Sequence, residues 1–266
     1  MKDATKWMWG LGDYGEVATF LEPHAEALAD AAGLRPGVEV LDVAAGNGNF
    51  AIAAARRGAR VIASDLTPRM LELGRARTQA DGYSIDWVEA DAEQLPFSDG
   101  RFDVVASVFG AMFAPRPDRV TAELFRVVKP GGGVAMANYA HRGFLGSFAD
   151  VLGRFSMAPP GGMELPSPFT WGDPAEVRRR FDGRTASLRV ETRTVTFSFP
   201  SLEAGWAFWE RTNPPLMALK AMLPSEKYPE VQAAGADLMR QMNSAQDGGL
   251  RLDSDYLSVL AIRRRD

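Results

Sequence analysis

Cysteine is absent from the 266 residues. Its absence excludes disulfides, thiolate metal sites and cysteine nucleophiles together, and it fits a reducing, cytoplasmic setting. Histidine is nearly as scarce: His24 and His141 are the two copies, so imidazole chemistry has few places to reside. No apolar run approaches the roughly 20 residues that a membrane-crossing helix needs, so no membrane insertion is expected. The opening stretch "MKDATKWMWGLGDYG" has no apolar core of the signal-peptide kind, which leaves secretion without support. Excess positive charge is missing too. The formal net charge is −4, whereas a nucleic-acid partner requires a strongly basic surface. Two arginine runs, Arg178–Arg180 and Arg263–Arg265, read most simply as a solvated helix face and a frayed tail. No Asp/His cluster has metal-ligand spacing, so no metal is expected. Internal repeats and low-complexity segments are absent as well.

What is present describes an ordinary globular core, with 46% hydrophobic and 24% charged residues. From residue 23 to about 140, short strands alternate with helices. "VEVLDVA" (38–44), "ARVIASD" (59–65), "SIDWVEAD" (84–91), "FDVVASVF" (102–109) and "GGVAMANY" (132–139) are short, apolar and rich in valine, as buried parallel strands are. The segments between them carry helical spacing and end near glycine. One such helix opens at Pro68 with Thr67 as its N-cap, and another covers "EPHAEALADAAG". This repetition predicts an α/β fold: a Rossmann-like, doubly wound, mostly parallel sheet. After residue 140 the pattern changes. "SLRVETRTVTFSFP" (187–200) alternates like a long strand, residues 201–248 are helical and rich in Trp, Phe and Met, and "DYLSVLAIRRR" closes with a strand. Seven strands are therefore expected, the last two forming a hairpin whose connection is swollen into a helical lid. The chain divides into a cover segment (1–22), a cofactor-binding core (23–140), a segment completing the sheet (141–200), the lid (201–248) and a final strand and tail (249–266), all one domain.

Between the first strand and the next helix lies Gly46-Asn47-Gly48-Asn49-Phe50-Ala51, which satisfies the G-x-G-x-x-(G/A) dinucleotide fingerprint. Such a turn lets backbone approach a ligand at a helix N-terminus. Asp65, 19 residues past Gly46, stands where a ribose-binding acid belongs. Alone, the turn does not separate a nicotinamide or flavin from another nucleoside cofactor. Further along, Asp91 ends the third strand, where an acid can accept the adenine amino group while the backbone N–H of Ala92 meets a ring nitrogen. A short-chain dehydrogenase needs tyrosine four residues before lysine, and none of Tyr14, Tyr83, Tyr139, Tyr228 and Tyr256 has lysine at that offset.

Taken in order, "VLDVAAGNGN", "VIASDLTPRML", "WVEADAEQLPFSDGRFDVVASVF" and "ELFRVVKPGG" resemble the motifs of class I S-adenosylmethionine-dependent methyltransferases, in particular the ubiquinone/menaquinone-biosynthesis-type small-molecule branch. The resemblance runs from "WMWGLGDYGEVA" to the terminal strand. Asn47 departs from the more usual Gly-Thr-Gly or Gly-Cys-Gly turn. The resemblance implies S-adenosylmethionine as cofactor. Asp42 and the backbone from Ala44 through Gly46 to Gly48 would then receive its methionine head. Asp65 would take the ribose hydroxyls with Leu66 against the adenine, Asp91 and Ala92 would read the adenine edge, and the Ser107 carbonyl would lie near the sulfonium. Purely structural roles stay open: turn capping for Asp42, helix capping for Asp65, a turn for Asp91, core packing for Met70.

A segment with two tryptophans and a tyrosine needs a partner surface, so Trp9 and Tyr14 are expected to close the site or to pack on the sheet edge. Phe109, Met112 and Phe113, with Trp9, are expected to line a mostly apolar acceptor pocket. His141 follows the fifth strand at the ligand-binding end of the sheet and is the candidate base, with a surface-loop role as its alternative; Tyr14 is the second catalytic candidate. His24 sits in an early helix as a surface or core residue. "NPPL" at Asn213–Leu216 resembles the motif of amino-group nucleic-acid methyltransferases, but it belongs after the fourth strand and reads here as a helix break. The expected activity is methyl transfer to a small apolar metabolite at O, N or C. A cyclase or a non-catalytic S-adenosylmethionine-binding protein on the same fold are the rivals. The acceptor and the oligomeric state are not legible.

Overall fold

The computed structural model describes residues 2–12, 14–156 and 166–265, with the backbone alone for Tyr14. Its centre is a seven-stranded sheet in the order β3-β2-β1-β4-β5-β7-β6. The strands are β1 (Glu39–Val43), β2 (Arg60–Asp65), β3 (Asp86–Glu89), β4 (Phe102–Val108), β5 (Val128–Gly143), β6 (Thr185–Phe199) and β7 (Leu250–Arg263). The first five are parallel, and β7 runs antiparallel to both β5 and β6. Strands β1 and β4 are buried almost throughout because helices cover both faces. The mostly parallel sheet and its closing hairpin agree with the sequence reading.

Chain order reverses at β1. The chain leaves β1 for β2 and β3 on one side, then returns to β4 on the other. Ligands bind at such a switch point, outside the carboxyl ends of the strands. Here the ends of β1 and β4 are tightly joined. Ala44 and Phe109, immediately after them, both adopt left-handed backbone with φ of 54° and 53°. Any Cβ on Gly110 would stand 2.2 Å from the Ala44 carbonyl oxygen, so glycine is required there.

The helices after the parallel strands are α3 (Asn49–Arg56), α4 (Pro68–Ala80) and α5 (Pro117–Val127), the last two with proline in the first turn. Two helices precede the sheet, α1 (Lys2–Trp9) and α2 (Tyr14–Ala31). The expected helix at Pro23 begins nine residues earlier, and Pro23 lies inside it. Val17, Leu21, Ala25 and Leu28 are buried along one stripe, and burial of that stripe outweighs the hydrogen bond that proline omits. Between β5 and β6 come α6 (Phe144–Gly153) and α7 (Pro174–Phe181). Between β6 and β7 come α8 (Leu202–Thr212), α9 (Pro214–Met222) and α10 (Tyr228–Met242). Trp206, Phe208, Trp209 and Met239 of this insertion are buried, whereas Met222 is 64% exposed.

A turn at Pro168–Gly172 lies across the end of β5. A Cβ on Gly172 would stand 2.2 Å from the Ala140 Cα and 2.3 Å from the Tyr139 carbonyl oxygen. Gly172→Ala therefore forces backbone apart and is expected to destabilise the fold by about 1–3 kcal/mol, read as a lower thermal midpoint. An unchanged midpoint would show that this turn does not bear on β5.

Candidate functional site

Two buried carboxylates sit at the strand ends beside the switch point. Asp42, 1% exposed, accepts the Ala51 N–H at 3.0 Å through Oδ2, tying β1 to the first turn of α3. Its Oδ1 has no hydrogen-bond partner. Burial pushes the Asp42 carboxyl up to about 8, opposed by the Ala51 N–H and aided by the Asp65 charge. Asp65 accepts the Gly46 N–H at 2.9 Å and the Thr67 N–H at 2.8 Å, one on each oxygen. Burial raises its pKa, and those backbone donors pull it back. Thr67 holds the N-cap position of α4 without a side-chain cap bond; Asp65 satisfies that helix end instead.

Both acids line a cavity at the carboxyl end of the sheet, with Ala44 and Gly46 after β1, Leu66 after β2, and Asp91 and Ala92 after β3. Met70 adds to its wall from α4. Asp91 accepts the Glu93 N–H at 3.0 Å. Its other oxygen pairs with the Lys2 ammonium, and Lys6 pairs with Glu89, so α1 is strapped across this end of the cavity.

Two residues expected here do not line this cavity. Gly48 is the N-cap of α3 with φ of 93°, and a Cβ on it would meet the Trp87 ring at 3.0 Å; its part is steric. Ser107 is fully buried, and its Oγ accepts the Ala111 N–H at 2.9 Å. Val108 lines the cavity in its place.

A second cavity of about 370 Å³ adjoins the first. Its walls include Met8 of α1, Leu145, Phe148 and Leu152 of α6, and Trp209 of α8. No described residue lining it is charged. Thr5, Trp9 and Phe113 line both cavities. The rings of Trp9 and Phe113 meet at 4.7 Å, tilted by 54°, where the cavities join. Phe109 lines the first cavity rather than the second, and it stacks at 4.1 Å on Tyr139, which lines the second. Met112 lines neither. It is buried behind them, with its sulfur accepting the Tyr139 N–H at 3.3 Å.

His141 departs from its expected place. Strand β5 continues past it to Gly143, and the side chain turns outward, 59% exposed, with Nε2 2.9 Å from Asp150 Oδ2. It lines neither cavity. The Tyr14 side chain falls outside the described residues. His24, by contrast, is half-buried beneath Phe109 with Nδ1 3.0 Å from the Tyr256 hydroxyl. Asn213 caps α9 by accepting the Leu216 N–H at 2.9 Å, the helix-break role read from "NPPL". Lys2, Thr5 and Met8 escaped sequence reasoning because a single eight-residue helix gives too little periodicity to orient. Among the described residues, no cluster of His, Cys, Asp or Glu can hold a metal, and no helix is long and apolar enough to cross a membrane.

The orphaned Asp42 oxygen has a pH signature. A carboxyl whose folded pKa is raised keeps its proton in the folded state from about pH 4 to about pH 8, while the unfolded chain has lost it. Stability therefore falls as pH rises through that window. Thermal midpoints measured from pH 5 to 8 should show this fall in the ligand-free protein and a smaller one in Asp42→Asn. Equal slopes would remove Asp42 as its source.

Comparison with known proteins agrees with this geometry. Residues 40–132 match the model of the methyltransferase domain family. An uncharacterized protein of Mycobacterium tuberculosis is 42% identical over 190 residues, covering 71% of this chain and 69% of its own length. The demethylmenaquinone methyltransferase of Renibacterium salmoninarum is 39% identical over 130 residues, 49% of this chain and 53% of its own. Among solved structures, the YcgJ protein of Bacillus subtilis superposes with a TM-score of 0.63 over 91% of this chain and 99% of that one, at 19% identity. With the motif order, the sheet topology and these relatives in agreement, the chain belongs to the class I S-adenosylmethionine-dependent methyltransferases.

Proposed function

We propose that this methyltransferase acts on a small, uncharged, largely apolar acceptor held in the second cavity. The observation that carries the reading is the meeting of two unlike cavities at Trp9 and Phe113, one walled by carboxylates and strand-end backbone, the other free of charge among its described residues. The acid-lined cavity fits the cofactor. Asp42 Oδ1, a buried carboxyl oxygen without a partner, suits the ammonium of the methionine head, whose charge favours the ionised form. Asp65, already oriented by two backbone donors, retains lone pairs for the ribose hydroxyls. Asp91 and Ala92 suit the adenine edge, with Leu66 against the ring.

When bound, S-adenosylmethionine supplies a methyl group already activated by its sulfonium. The protein's work is then to align and to exclude water. Strap α1 and the insertion of α8–α10 close the acceptor side, and we read all five segments as one domain. Burying a charged acceptor against these walls carries a large desolvation penalty, which supports the choice of a neutral one.

Two measurements test the reading. Calorimetry should show S-adenosylhomocysteine binding and no NAD binding, with Asp65→Ala weakening the former by about 1–3 kcal/mol. Unchanged affinity in that variant would remove the ribose role. In the S-adenosylhomocysteine complex, 1-naphthol should quench tryptophan fluorescence at concentrations at least about tenfold below those needed for 1-naphthyl phosphate, the same ring carrying charge. Equal or tighter binding of the phosphate would sink the assignment of a neutral acceptor.

A further inference from the structure

The wall between the cavities rests on a partly buried polar row that the proposed function leaves unused. Arg193, Tyr256 and Tyr139 stand directly opposite one another across β6, β7 and β5, so their side chains share one face of the sheet. Helix α2 covers that face and brings His24 Nδ1 to 3.0 Å from the Tyr256 hydroxyl. Phe109 is boxed above the row. It stacks on Tyr139 at 4.1 Å, meets Tyr256 edge-on at 5.2 Å and His24 edge-on at 6.5 Å. Its left-handed φ of 53° is one that a bulky residue keeps only where its surroundings over-determine it.

We propose that His24 and Tyr256 are positioning residues whose hydrogen bond, made by a neutral imidazole, fixes Phe109 and Tyr139 and thereby the wall between cofactor and acceptor. The inference rests on the two-cavity reading. Arg193 acts on the Tyr256 hydroxyl and can only donate to it, which frees the phenol hydrogen to go to Nδ1 of the tautomer protonated at Nε2. An imidazolium cannot accept that hydrogen. Burial, and then the charge of Arg193, hold the His24 pKa below its ordinary 6.5.

The other charged groups facing α2 are already matched. Arg56 and Arg57 of α3 pair with Glu22, Glu26 and Asp30, and Arg211 of α8 pairs with Glu16. Glu191 pairs with Arg193 on β6. The brace is therefore intact at neutral pH and is lost as pH falls below 6.5 and His24 takes up a proton.

Calorimetric titration with S-adenosylhomocysteine from pH 5 to 7.5 tests this in the full chain. Wild-type affinity should fall about fivefold or more toward pH 5, the scale of one lost hydrogen bond. His24→Asn, which keeps an acceptor near the Nδ1 position but does not titrate, should bind like wild type at pH 7.5 and fall about fivefold less toward pH 5, leaving the fall that protonation of Asp42 imposes on ammonium binding. Tyr256→Phe should weaken binding at pH 7.5 and flatten the profile, with thermal midpoints confirming that each variant is folded. An acid fall as steep in His24→Asn as in wild type overturns the proposal, as does a Tyr256→Phe profile that matches wild type. Failure of the wild type to bind S-adenosylhomocysteine at pH 7.5 instead overturns the two-cavity reading, and the brace with it.

Discussion

The site depends on two carboxylates taken out of water at the ends of adjacent strands. Each ties its strand to the element that follows: Asp42 to the first turn of α3, Asp65 to the glycine turn and the first turn of α4. A helix N-terminus presents unpaired N–H groups and partial positive charge, so a buried acid is tolerable there and in few other places. The same bonds stiffen the turn that ligand must approach. Asp65 is satisfied, whereas Asp42 keeps one bare oxygen. On the proposed reading, that asymmetry suits a cation at one end of the cavity and hydroxyls at the other.

Much of this was legible because it is local. Parallel strands covered on both faces must be short and apolar, and the helices between them carry their own caps and periodicity, so the core could be read segment by segment. That Asp42, Asp65, Leu66, Asp91 and Ala92 would line one cavity could be read for the same reason, since each lies at a strand's end or within three residues after it. The second cavity was not legible. Its walls come from residues as far apart as Met8, Phe148 and Trp209, and their meeting is a property of packing that no window of sequence contains.

The misplacements of individual residues share a cause. A strand alternates its side chains, so its end residue is defined only when its length is known. Strand β5 runs four residues beyond the expected Tyr139, which puts His141 out toward solvent. Met112 lies in a single turn between β4 and α5, where one step of rotation separates a cavity wall from the core behind it. His24 lies in the early helix, partly in the core, as expected; the contact with Tyr256 is what the sequence does not show.

The order of the sheet carries a consequence for how the molecule is made. β7 follows every other strand in the chain, yet it lies inside the sheet, between β5 and β6. During synthesis from the N-terminus, β5 and β6 emerge with facing edges that nothing yet fills. About fifty residues, including the aromatic insertion, must leave the ribosome before the filler strand arrives. Until then a long row of backbone donors and acceptors is open to any other extended chain. Arg189, Glu191 and Arg193, spaced along β6, are side chains of the kind that discourages pairing at an open edge.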